Sequence, residues 1–162
     1  MQRARQKTRA LEPDDHALGR SRGGFGTKIH LVCDRRGQPL GACLSPGQDH
    51  ESRYFESAIQ IACGLNEDGT LKQSPGAISG DKAYSSKMIR AWISSRLIED
   101  VIPTREDEIR IESFDREKYR ERNVVERCIG WLKERRRIAT RFEKLAVHYM
   151  AMIQLAMILR LI

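Results

Sequence analysis

Tyr119, Arg122, Glu126 and Lys133 follow one another at spacings of 3, 4 and 7 residues, the intervals at which helix side chains share a face. At about 100° per residue all four fall within an arc of roughly 60°. Val124, Cys128, Trp131 and Leu132 gather on the opposite side, so one face reads as core and the other as chemistry. A carboxylate flanked by two cations and a phenol suits an anionic substrate. The cations and the hydroxyl hold phosphates, and the carboxylate can hold a divalent metal against them. An amphipathic surface helix with a solvated charged side has the same pattern, and the residues alone leave both readings open.

Asp81 is the second candidate acid. Ala77-Ile78-Ser79-Gly80-Asp81 reads as a short strand ending in an acid, and Ser85 or Ser86 then caps a helix whose Met88, Ile89, Trp92, Ile93 and Leu97 lie at helical spacing. Ligands and metals gather beyond the carboxyl ends of parallel strands in sheets flanked by helices. The bland alternative is an acid favoured near a helix start by the helix dipole. Asp34 heads the sequence Asp34-Arg35-Arg36-Gly37, where aspartate commonly satisfies turn N–H groups, and it is read as a turn residue. His50, alone in a first helical turn, is read as structural.

The elements that must position these acids follow from the chain in order. Residues 1–24 are basic, rich in glycine and without apolar periodicity, and read as an arm or loop. Residues 25–162 then form one domain. Thr27–Cys33 and Gly41–Ser45 make a hairpin, and Asp49 caps a helix running through Cys63. A loop from Leu65 to Gly76 leads to the Asp81 strand. Glu99–Pro103 is a brief buried strand, Thr104 to Ser113 a charged connector, and Asp115 caps the long helix. Leu145–Ile162 reads as a buried closing helix, because its uninterrupted apolar run falls far short of the roughly 20 residues that span a bilayer. The order of elements predicts an α/β fold with a mixed sheet flanked by helices.

The chain has 162 residues and a formal net charge of +7, enough length for one domain with a real core. Its positive charge sits in two blocks: residues 1–28 carry 7 basic and 3 acidic groups, residues 116–144 carry 11 and 5. Neither block has the alternating apolar face of a membrane-surface helix, so a polyanionic partner, nucleic acid before membrane, is expected. The four cysteines are far apart and form no C-x-x-C pair, and the four histidines show no zinc spacing. Reduced thiols and the absence of a signal peptide point to the cytoplasm.

Tyr119-x2-Arg122-x3-Glu126-x6-Lys133 resembles the Y-R-E-K signature of bacterial insertion-sequence transposases of the DDE type, the insertion-sequence four/five group with a ribonuclease-H-like catalytic domain. Gly19 to His30 and Gly80-Asp81-Lys82-Ala83-Tyr84 extend the resemblance along nearly the whole chain. The second segment is usually A-D-K-G-Y, so the small residues at 80 and 83 are exchanged.

The resemblance implies that Asp81 and Glu126 are catalytic and bind Mg²⁺ or Mn²⁺. It also implies that Tyr119, Arg122 and Lys133 approach double-stranded DNA at transposon ends and target, and that the protein acts as a homo-oligomer on that DNA. A first aspartate is expected on a central strand upstream of the hairpin, and the chain begins after that point. Asp14 and Asp15 lie in polar surroundings next to Pro13, with no strand to fix either. The expected molecule is therefore the C-terminal part of a transposase catalytic domain, missing its first central strand. It would be inactive in DNA strand cleavage and transfer until an upstream segment supplies that aspartate. The rival reading is a non-catalytic DNA-binding or regulatory remnant, and an RNA-cleaving relative of the fold is a third.

Overall fold

A computed structural model describes residues 16–106, 108 and 114–162. Asp14, Asp15 and most of the basic arm, together with much of the connector after Pro103, lie outside the described residues. The remaining structure is α/β, built on two small sheets.

The first sheet holds β1 (Gly19–Ser21), β2 (Gly24–Cys33) and β3 (Pro39–Pro46), all antiparallel. The hairpin joining β2 and β3 is longer at both ends than the sequence suggests. Its turn forms as expected: Asp34 accepts hydrogen bonds from the backbone N–H groups of Arg36 (2.9 Å) and Gln38 (2.8 Å). The loop expected through residue 24 is corrected at Gly19–Ser21, which pairs with Gly24–Gly26. Side-chain alternation along β2 separates two cores. Ile29 and Leu31, opposite Leu44 and Ala42, face one core; Val32 faces the other.

His50, not Asp49, caps the 3₁₀ turn Glu51–Tyr54, through Nδ1 and the Ser52 N–H (3.4 Å). Helix α1 (Phe55–Cys63) follows and crosses β3 closely. A Cβ on Gly41 would lie 2.8 Å from Ala62 N, so only glycine lets strand and helix approach this far. Gly64 ends α1 with φ 68°, a conformation that favours glycine.

The second sheet pairs β4 (Ala77–Ser79) and β5 (Glu99–Val101) in parallel, joined through α2 (Lys87–Ser94). Ser86 is the cap: its hydroxyl accepts from the Ile89 N–H at 3.2 Å. Parallel and antiparallel pairings are both present, but in two sheets instead of the single mixed sheet expected. Among the described residues no strand joins β2 to β4.

The expected long helix is α3 (Arg116–Glu121) followed by α4 (Asn123–Lys133). Asp115 caps α3 through the N–H groups of Glu117 and Lys118, both at 3.0 Å. At Arg122 the helix tightens, with Arg122 N–H bonded to Tyr119 O and Val125 N–H to Arg122 O, the i to i−3 pattern of a 3₁₀ turn. Helices α5 (Arg136–Ala139) and α6 (Ala146–Leu161) complete the chain.

The first core joins Leu132, Ile138, Tyr149, Ile153 and Ala42; the second joins Phe55, Ile59, Ile78, Ile89, Ile93 and Ile102. Since Ile29 and Leu31 meet the first core and Val32 the second, α4 and α1 cover opposite faces of β2. The closing helix is buried on one side only. Tyr149 and Ile153 are inside, while Val147, Leu155, Ile158 and Leu159 are exposed. No helix among the described residues is long and apolar enough to cross a membrane.

Candidate functional site

A cavity of about 830 Å³ lies between β2 and β4. Its walls include Ile29 to Cys33 of β2, Phe55, Ala58 and Ile59 of α1, Ala77 to Ser79 of β4, and Val125 and Ile129 of α4. Asp81, Arg122 and Glu126 line the same cavity. Two sequence-predicted acids 45 positions apart therefore share one space, and one predicted cation stands with them.

Asp81 follows β4 immediately after Gly80 and caps the 3₁₀ turn Lys82–Tyr84, accepting from the Ala83 N–H at 2.9 Å. The bland capping role is thus real, but it occupies one carboxylate oxygen and no cation among the described residues pairs with the group. Glu126 is paired with Arg122 at 2.7 Å, one helical turn apart. Arg122 also lies over the Tyr119 ring, 5.3 Å from its centroid, and Tyr119 packs against Phe114. Tyr119, Arg122 and Glu126 therefore form one run of contacts despite the tightened turn. Lys133 is exposed and stands about 10 Å farther along the axis than Glu126 at 1.5 Å per residue. Neither Tyr119 nor Lys133 lines the cavity.

Two carboxylates facing one space are hard oxygen donors suited to a divalent cation such as Mg²⁺, which relies on one or two protein carboxylates and keeps several waters. Among the described residues no group of three or more His, Cys, Asp and Glu side chains could hold a metal. Asp34, Glu51 and Glu121 line the cavity as well, but none of them makes up such a group with Asp81 and Glu126, so the donor set fits the ion in part.

The position of Gly80 bears on the exchange at that site. A Cβ there would meet Tyr84 Cδ2 at 3.4 Å and Ile102 Cγ1 at 3.6 Å, ordinary contacts, and its φ lies outside the left-handed region. Gly80→Ala is therefore expected to fold and to gain about 0.4–1 kcal/mol by restricting the unfolded chain. Urea denaturation checks this, and a loss of stability would show that the junction needs glycine.

Sequence reasoning missed a buried cluster beneath this wall. His30 is buried, bonded through Nε2 to Ser45 Oγ (2.8 Å), 3.4 Å from the Tyr84 hydroxyl through Nδ1, and stacked on Tyr54 with centroids 4.8 Å apart. Burial lowers the His30 pKa, opposed by Glu51 and assisted by Lys28. Tyr54 donates to Asp49 Oδ2 (2.6 Å); that bond, then burial, pushes its hydroxyl up to about 12. Burial likewise raises the Tyr84 pKa. These groups stay neutral near pH 7 and act as a polar brace for the wall that carries Asp81. A histidine between Ile29 and Leu31 gives a hint, since it must sit on the face opposite them.

The basic run after Lys133 is largely engaged in packing. Arg135 and Arg160 both lie over Trp131, at 3.9 and 4.7 Å, and Arg137 pairs with Glu143 at 3.0 Å. Arg141 turns inward. It donates to Thr27 Oγ1 and to the carbonyls of His16 and Ala17, and lies 5.2 Å from the Tyr149 ring. All four cysteines are free thiols. Burial pushes Cys33 and Cys43 up to about 11, so neither is a nucleophile near neutral pH.

The family described as Transposase DDE domain matches residues 5–161. The chain is 31% identical, over 134 residues, to a protein of Brucella ovis named as a transposase for the insertion sequence element IS6501; the match covers 80% of this chain and 93% of that one. It is 35% identical, over 124 residues, to a Burkholderia cepacia protein named as a transposase for the insertion sequence element IS402, covering 75% of this chain and 56% of that one. No solved structure matches.

Proposed function

Since the chain belongs to the DDE-type transposases of insertion sequences, we propose that it takes part in DNA transposition as the C-terminal part of the catalytic domain, residues 25–162 joined by β1 (Gly19–Ser21) of the basic segment before them. The observation that carries this reading is the shared cavity: Asp81 and Glu126 line one space with Arg122 beside them. On this reading the two carboxylates hold Mg²⁺ or Mn²⁺. When bound, the metal supplies an activated oxygen nucleophile and charge stabilisation at phosphorus.

The chain's own groups do the rest. Arg122, held by Glu126 and by the Tyr119 ring, presents a guanidinium to the DNA backbone from the cavity rim. Tyr119 positions Arg122 and offers a hydroxyl, and exposed Lys133 reaches phosphate farther along the duplex. The partner is double-stranded DNA, both transposon ends and target, bound by a homo-oligomer in the cytoplasm.

The fold is read as ribonuclease-H-like without one central strand, and an upstream segment carrying an aspartate is proposed to supply it. Two observations support this: among the described residues no three acids form a group that could hold a metal, and no strand joins β2 to β4. The test compares Mg²⁺-dependent nicking of transposon-end DNA by the chain alone and by the chain fused to such a segment. Nicking by the fusion and none by the chain alone is expected. Robust nicking by the 162-residue chain alone would overturn the proposed incompleteness. DNA binding without nicking in either form would favour a regulatory binder, and cleavage confined to RNA would favour the third reading.

A further inference from the structure

We infer that the tip of the β1–β2 hairpin is a wedge for double-stranded DNA: Phe25 inserts between two adjacent base pairs from the minor groove while Arg20 and Arg22 hold the flanking phosphates. This wedge rests on the proposed role in DNA transposition and adds to it a contact that distorts the duplex, made outside the cavity of Asp81 and Glu126.

Phe25 is 74% exposed, and the fold places it there. Alternation along β2 puts it on the face that carries Ile29 and Leu31 into the first core, the face that α4 covers. Phe25 itself stands outside both cores. Gly24 and Gly26 flank it without side chains, and a Cβ at either would meet nothing within 4 Å. Packing within the chain gives no account of this ring, which leaves in water an area whose burial would be favourable.

The tip is pinned from within. Gly19, Arg20 and Ser21 pair with Gly26, Phe25 and Gly24. The Ser21 hydroxyl donates to Gly24 O (3.1 Å) and accepts from the Gly23 N–H (3.2 Å). The ring is therefore presented on a pre-formed turn, which lowers the ordering cost of binding. Arg20 lies directly opposite Phe25, so the two side chains leave the ladder on one face. Arg22 follows in the turn. Both arginines are exposed, and neither has an acidic partner among the described residues.

A lone apolar ring between two unpaired cations fits a duplex better than a protein surface. A protein contact centred on an aromatic anchor is ringed by further packed residues, whereas the hairpin neighbours here are glycine, serine and arginine. In duplexes, apolar wedges such as Phe enter base steps from the minor groove while arginines read its walls. The wedge also lies near the proposed chemistry. Phe25 stands five residues along β2 from His30, about 17 Å at ~3.4 Å per residue. His30 in turn reaches the Tyr84 hydroxyl, in the turn that Asp81 caps. The distorted step is therefore expected within about one helical turn of duplex, roughly 34 Å, of the phosphate at Asp81.

The experiment uses the whole chain and transposon-end duplexes carrying, one position at a time, a fluorescent base analogue whose emission rises when it loses a stacking neighbour. One step is expected to brighten on binding. Phe25→Ala should abolish that rise and weaken binding by about tenfold, as expected for loss of one aromatic contact with a base. The slope of log affinity against log salt should stay the same, because no charge is removed. Arg20→Ala and Arg22→Ala should each flatten it. Since the ring is exposed, the denaturation midpoint of Phe25→Ala should match that of the parent chain, which separates loss of the wedge from loss of the fold. Duplex binding by the parent chain with no brightening at any step would overturn the wedge and leave DNA as the partner. Brightening or affinity that survives unchanged in Phe25→Ala would overturn it equally. Failure of the parent chain to bind any duplex would defeat the wedge together with the proposed role in transposition.

Discussion

Changing Glu126 to Gln, or Asp81 to Asn, in the fusion that carries the upstream segment should lower Mg²⁺-dependent nicking of transposon-end DNA by about three powers of ten. A bound metal contributes several kcal/mol to transition-state charge, and each ~1.4 kcal/mol is tenfold in rate. Both changes remove a negative charge while keeping nearly the same shape. Folding should survive each. The Glu126 carboxylate is half-exposed and its pair with Arg122 is a single i,i+4 contact, contributing at most about 0.5 kcal/mol. Asn at position 81 can still accept the Ala83 N–H that Asp81 accepts now. A large loss of nicking with an unchanged denaturation midpoint is therefore the expected pair of results. Nicking unaffected by Glu126→Gln would remove α4 from the active site, and unaffected nicking in both variants would leave only a binder.

The parts of this fold legible in the sequence are those fixed by neighbouring residues. The β2–β3 hairpin follows from alternation around Asp34 and Gly37, and the α2 and α3 starts from the caps Ser86 and Asp115, because each of these signals acts within four residues. What is not legible depends on distant partners. Whether β2 pairs with β4 is decided by what lies between them, and neither strand's composition states it. Gly19–Ser21 resembles a loop by its glycines and becomes a strand because Gly24–Gly26 lies opposite. Asp49 has the position of a helix cap, yet the Tyr54 hydroxyl claims its carboxylate and leaves the cap to His50.

The candidate site divides along the same line. Tyr119, Arg122 and Glu126 are neighbours on one stretch of helix, so their contacts follow from spacing. Asp81 reaches the same cavity only through the fold, and the His30, Tyr54 and Tyr84 cluster joins three separate elements with no local sign. The distinction also sorts the basic residues. Arg135, Arg137 and Arg141 belong to one charge block in sequence, but each is drawn to a specific ring, acid or carbonyl. Charge density therefore overstates how many cations the block offers to a partner.

That sorting sets the second large effect, on DNA affinity. Arg116, Arg120, Arg127 and Lys133 are exposed and have no acidic partner among the described residues. They are the cations of α3 and α4 free to meet phosphate, joined by Arg122 when DNA competes with Glu126. If these and the basic arm together neutralise about six phosphates, affinity should fall by about 10³ between roughly 50 and 200 mM salt, since each neutralised phosphate adds about 0.9 to the slope of log affinity against log salt. Lys133→Ala should weaken binding to unrelated duplexes alike and flatten that slope by about one contact. Arg122→Ala should flatten it less, because part of its charge is already spent on Glu126 at 2.7 Å. Arg135→Ala should leave the slope unchanged, as its guanidinium is stacked 3.9 Å from the Trp131 ring centroid. Titrations at several salt concentrations read all three. A slope that responds to Arg135 and not to Lys133 would move the DNA track off α4 and onto the surface around α5.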